Sequence, residues 1–250
     1  MKAKCSLLHQ KNQILIKLSK MGVLDYYLKN SQLYFYGIAI FVAIFRYPKY
    51  FDTPLRFFPI FLMYTFLNEL FAYLIHNGSN FFNPFLKDIY EDNNLILYNF
   101  YNIIFFTYFF YIYWHFTKTQ QYKNYIKYAG YSFLIVAVIN IIYQNFFTEQ
   151  QIITFTYGST ILISGIILYL KEHKSILRKK IIKYSLLFWL SIGLLIFHFF
   201  YIPIKVYYNF TDFKDINLFY NIKRVHLFLI CIMYSFFIYG FIQTKGKLKV

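Results

Sequence analysis

Phe57-Phe-Pro-Ile-Phe-Leu-Met-Tyr-Thr-Phe-Leu-Asn-Glu-Leu-Phe-Ala-Tyr-Leu-Ile75 contains one acidic residue, Glu69, and no lysine or arginine. At about 1.5 Å per residue, such a run is long enough to cross most of a hydrocarbon layer roughly 30 Å thick. Glu69 then falls only about 4–5 Å from the middle of the span. A carboxylate at that depth is costly, so it must face other helices or a wet cavity rather than lipid. Thr65, Ala72, Tyr73 and His76 share its helix face at i−4, i+3, i+4 and i+7. The result is a narrow polar stripe on an apolar helix. The other nine of the ten acidic residues fall in loops, tails or helix ends.

The whole chain follows this pattern. It is 59% hydrophobic and 14% charged, against roughly 45–50% and 25% in soluble domains. The gaps between apolar runs are short, which leaves no room for a separate soluble catalytic domain. Aromatic residues make up 25% of the chain. Phe, Tyr, Ile, Asn and Lys together are also the mark of A+T-rich coding, so individual tyrosines and asparagines carry little weight. The formal charge of +16 does not point to nucleic acid, because the basic residues lie between hydrophobic spans, where membrane orientation and lipid headgroups account for them.

The fold class expected is an all-α membrane protein, a bundle of seven transmembrane helices. Residues 1–30 form a basic N-terminal tail, unless translation starts at Met21. That tail either lies on the membrane through the Ile14–Leu18 patch or is dispensable up to residue 20. Residues 31–243 make the seven-helix domain and residues 244–250 a basic tail. The spans run over residues 33–45, 57–75, 95–116, 128–147, 152–170, 181–204 and 218–242, with Pro203 ending the sixth. Ala39 and Ala43 give the first a small-xxx-small face.

Orientation follows from lysine and arginine counts in alternating loops. With the C-terminus inside, the inner segments hold fifteen and the outer loops five. The expected topology is therefore N-out, C-in, in the plasma membrane of a bacterium. The six lysines of the first 30 residues dissent, and starting at Met21 leaves only Lys29.

This orientation sorts the polar side chains. Glu69, Asn99, Asn102, Asn140, Gln144, Thr156, Ser159, His198, Asn221 and His226 fall in the outer half. The inner half holds mainly hydroxyls, namely Ser132, Ser164, Ser191 and Ser235, which can satisfy themselves on their own helix's carbonyls. Amides, carboxylates and imidazoles need partners from elsewhere. An outward-facing polar vestibule is thus expected, with Glu69, Tyr73, Asn99, Asn102, Asn140, His198 and His226 as candidate ligand-binding residues. The competing reading makes the asparagines structural hydrogen-bonders and the histidines packing residues.

Several classes are excluded. The seventh span has no mid-helix lysine for a retinal. There is no Gly-x-Ser-x-Gly, no His-Glu-x-x-His and no set of histidine boxes. No duplicated motif points to a carrier built from repeats. Cys5 and Cys231 match neither a disulfide nor a metal spacing. No catalytic residue, metal or cofactor is therefore assigned, and an enzyme is unsupported.

Asn68-Glu69 in the second span, Asn93-Asn94 before a Tyr-rich third span, and Phe188-Trp-Leu-Ser-Ile-Gly193 in the sixth resemble small uncharacterised bacterial seven-helix proteins. Some of these are encoded beside sensor kinases. The resemblance implies a sensory role with a cytoplasmic signalling partner, and it transfers no catalytic residue. The function expected is a sensor or transducer binding a small molecule in the vestibule. The alternatives are a small-solute or proton-coupled transporter using Glu69, or a structural subunit of a membrane complex. Membrane lipids are expected partners in each case.

Overall fold

The computed structural model describes residues 28, 31–77, 94–173, 185–210 and 216–244. The expectations for residues 1–27, for the loops around Lys87 and Lys174–Lys183, and for the last six residues lie outside these. Among the described residues there are seven α-helices and no strand. They are α1 (Ser31–Phe45), α2 (Phe58–Asn77), α3 (Asn94–Phe116), α4 (Gln120–Tyr143), α5 (Ile152–Glu172), α6 (Leu186–Phe210) and α7 (Ile216–Gln243). The last five are long and apolar enough to cross a membrane, and α1 is a shorter apolar helix. The chain is thus an all-helical protein of multi-pass membrane character.

Two boundaries correct the sequence reading. Pro203 does not end the sixth span, because α6 runs through it to Phe210. Proline removes one backbone donor, and in membrane helices neighbouring groups commonly re-satisfy the freed carbonyl. Lys205, which falls between the sixth and seventh expected spans, is consequently a helix residue. Likewise α4 begins at Gln120 rather than Tyr128, so Lys123 and Lys127 lie on its first turns.

Helix α3 has α2, α4, α5 and α6 for neighbours. Helix α7 packs along α6 and also meets α1 and α2, which closes the bundle. Between these helices the contacts are aromatic. Phe58 on α2 is fully buried, with Phe237 at 5.6 Å, Phe241 at 5.9 Å and Phe109 at 6.1 Å between ring centroids. Lipid tails are as apolar as leucine, so helices associate through close packing and hydrogen bonds rather than through burial from water. Gly193 and Gly240 serve this at the α6–α7 seam. A Cβ at Gly193 would stand 3.0 Å from the Met233 carbonyl oxygen, and one at Gly240 would stand 2.8 Å from Trp189 Cβ. The Phe188–Gly193 stretch is therefore a packing element. Helix α4 has an exposed apolar face with Ile135, Val138, Ile142 and Tyr143.

The four inner-half serines behave as expected, each donating to a carbonyl of its own helix: Ser132 to Ala129, Ser164 to Ile161, Ser191 to Leu187 and Ser235 to Cys231. Ala39 and Ala43 are both fully buried. At one end of the bundle, called the lower end below, Tyr50 donates to the Ala43 carbonyl and Lys49 Nζ donates to the Thr244 carbonyl, both at 2.5 Å. Burial, and then the neighbouring Arg46 charge, lowers the Lys49 pKa from its ordinary value. At the same end the Glu172 carboxylate accepts from the backbone N–H groups of Lys118 and Thr119 and from the Thr119 hydroxyl. This ties the end of α5 to the start of α4.

Candidate functional site

The opposite, upper end carries the site. Glu69 projects from α2 half-buried, within electrostatic range of five tyrosines from four other helices. They are Tyr36 on α1, Tyr98 and Tyr101 on α3, Tyr201 on α6 and Tyr234 on α7. One turn below, the Thr65 hydroxyl donates to the Phe61 carbonyl and lies 3.2 Å from the Tyr101 hydroxyl. It also hydrogen-bonds Tyr234. Tyr234 meets Tyr36 edge-on at 4.5 Å, and Gln32 donates to the Tyr36 hydroxyl at 2.6 Å. Beside Glu69, the buried Asn68 Nδ2 has no hydrogen-bond partner among the described residues, leaving a donor available to an acceptor.

A second limb runs along α6. His198, Tyr201 and Lys205, at i, i+3 and i+7, share one face, and Phe155 of α5 touches all three. Its centroid is 5.9 Å from that of His198, 5.3 Å from that of Tyr201 and 5.5 Å from Lys205 Nζ. Lys205 Nζ also lies 5.9 Å from the Tyr201 ring. From α7, His226 stacks on Tyr201 with 4.2 Å between centroids and lies within electrostatic reach of Lys205. Tyr201 therefore adjoins the carboxylate limb on one side and the cationic limb on the other.

The sequence-derived candidates divide. Glu69 and His226 both lie near Tyr201, the first within electrostatic range and the second stacked on its ring. His198 is fully buried, with Nδ1 3.0 Å from the Ser159 hydroxyl and rings of Phe105, Phe106, Phe155 and Phe197 around it. Its Nε2 has no partner among the described residues. Asn99 instead fastens the α4–α5 turn. It donates to the Phe146 and Glu149 carbonyls at 2.9 and 2.8 Å and accepts from Gln151 N–H at 3.1 Å. Asn140 Nδ2 lies 3.0, 2.7 and 3.0 Å from acceptors on Gln144, Gln151 and Thr154. Turn backbone near a membrane needs such partners. Asn102 is half-buried on α3, and the Tyr73 side chain lies outside the described residues.

Among the described residues there is no group of three or more His, Cys, Asp or Glu side chains able to hold a metal. No family model, curated protein or solved structure matches the chain. The residues that the sequence reading missed are Lys205 and the tyrosines. Lys205 could have been found from its spacing to Tyr201 and His198 once the helix was carried through Pro203. With 28 tyrosines in the chain, the relevant five could not be singled out.

Proposed function

We propose that this chain is a plasma-membrane receptor of a bacterium, N-out and C-in, that binds a small molecule in the Glu69–tyrosine vestibule. The bound state is passed to a cytoplasmic signalling partner, in line with the resemblance to proteins encoded beside sensor kinases. The observation that carries the binding reading is that five tyrosines from four helices lie within electrostatic range of the one acidic residue that the sequence puts mid-span. A carboxylate with tyrosines close around it favours a ligand with a cationic head. Thermal unfolding of the purified protein against a panel of small amines, amino acids and quaternary ammonium compounds tests this. A ligand at 100 times its Kd would raise Tm by about 5–10 °C, and Glu69→Gln would abolish the rise. Stabilisation that persists unchanged in Glu69→Gln would remove the site from the vestibule.

A second reading is favoured by the cationic limb. Lys205 and His226 lie beside the same tyrosine that feels Glu69, as titratable groups in series do in a proton-coupled carrier. A carrier moves its ligand into liposomes under a pH gradient, whereas a receptor binds without flux.

A further inference from the structure

Nearer the lower end, helices α3 and α4 leave an open groove of about 250 Å³. Its walls are Phe110, Tyr111 and Trp114 of α3 and Ile126, Tyr131 and Leu134 of α4. The hollow exists because α4 has glycine at position 130. A Cβ there would meet only the Phe110 side chain, at 3.6 Å, so the wall recedes where a larger residue would fill it. Lys127 also lines the groove, with its Nζ 6.0 Å from the Tyr131 ring, and Lys123, one turn earlier, holds its Nζ 4.6 Å from the Trp114 ring. Two ammonium groups thus stand at one end of an apolar slot, near the lower ends of α3 and α4.

The spacing is that of an amphiphile: apolar walls for an acyl chain, and paired cations with an indole at headgroup level. A zwitterionic phospholipid brings its own cation beside the two ammonium groups, whereas an anionic headgroup brings net negative charge to both. We propose that this groove is a binding site for one anionic phospholipid, with its headgroup phosphate at Lys123 and Lys127 and one acyl chain between Phe110, Trp114 and Leu134. The site is independent of the upper vestibule.

Trp114 provides the readout, because the chain has only two tryptophans and the other, Trp189, lies packed against Phe236 and Tyr239 on the α6–α7 seam. The protein is reconstituted in phosphatidylcholine vesicles carrying the same mole fraction of bromine-labelled phosphatidylglycerol or bromine-labelled phosphatidylcholine, and tryptophan quenching is compared. The expected result is stronger quenching by phosphatidylglycerol, with a preference of roughly five-fold per lysine at low salt. It should shrink at high salt and vanish in the Lys123→Gln/Lys127→Gln double variant, and Trp114→Phe should remove the headgroup-dependent part. Equal quenching by the two lipids overturns the proposal and leaves an unselective lipid-facing groove. A preference that survives the double variant overturns it too, because the headgroup would then sit elsewhere.

Discussion

The His226 imidazole lies flat on the Tyr201 ring, with planes 9° from parallel and centroids 4.2 Å apart, and so joins α7 to α6 beside Lys205. An aromatic pair of this kind is worth about 0.5–1.5 kcal/mol beyond its buried area. His226→Phe keeps a flat ring and is expected to hold thermal stability near wild type, while His226→Ala lowers it measurably. If the imidazole also contacts the ligand, His226→Phe loses binding at unchanged stability. Isothermal titration beside an unfolding scan separates the two effects.

Glu69→Gln keeps the size and much of the hydrogen bonding of the side chain and removes its charge. In a wet vestibule this variant folds almost as well as wild type and loses ligand binding. Glu69→Ala leaves the partners of the carboxylate unpaired, at a cost of about 1–3 kcal/mol. A Gln variant as unstable as the Ala variant would show that the charge itself holds the bundle together and would sink the vestibule reading. Unfolding curves of both variants are sufficient to decide.

Asn99→Ala removes three hydrogen bonds to the α4–α5 turn. Leaving those buried backbone groups unpaired should cost about 1–3 kcal/mol or more. Proteolysis within residues 144–151 should accelerate, while affinity for a vestibule ligand in the folded fraction stays unchanged. An affinity loss matching that of Glu69→Gln would return Asn99 to the binding site.

Gly158 and Gly130 make a matched pair. A Cβ at Gly158 would stand 2.7 Å from Phe106 Cδ2 and 2.8 Å from Phe133 Cε2, whereas at Gly130 the nearest atom is at an ordinary 3.6 Å. Gly158→Ala is expected to destabilise by about 1–3 kcal/mol through overpacking. Gly130→Ala should be neutral or slightly stabilising, because alanine favours the helix. Thermal unfolding of the two single variants checks both signs.

Topology can be checked apart from function. A reporter active only in the cytoplasm should work after Val250 or within residues 174–180 and fail within residues 87–94. The reverse pattern would place the Glu69 end inside.

Much of the helix layout was legible because apolar runs of membrane length rarely occur outside membrane-spanning helices. The third span, residues 95–116, coincides with the apolar window found in α3. The errors came from reading charge and proline as stop signals. Lys123 and Lys127 remain helical because long side chains near a span end can reach polar surroundings while their stems stay against apolar surface. Pro203 sits inside α6 on an exposed face, a placement that membrane helices tolerate.

Of the candidate site, the sequence singled out Glu69. It stood out because the sequence reading placed it mid-span, where a carboxylate is rare. The tyrosines around it did not, since a phenol is as much at home in packing as in a pocket. Asn99 and Asn140 were drawn into the site by depth, but depth does not distinguish a ligand contact from a fastening on a turn. That distinction depends on where residues 144–151 fold back, which helical periodicity does not encode.

The two fastenings on α4 and α5 together decide what in this protein is free to move. At the upper end Asn99 of α3 grips the α4–α5 turn. At the lower end Glu172 of α5 grips the link between α3 and α4. Pinned at both ends, these three helices make a stator that resists sliding or tilting of one member against another. Helix α6 meets this trio through two hydroxyl contacts, Tyr113 with Ser191 and Ser159 with His198, and through the rings of Phe105, Phe106 and Phe155 around His198. Any displacement of α6, which carries Tyr201 and Lys205, would take α7 with it, because the two helices interlock at Gly193 and Gly240.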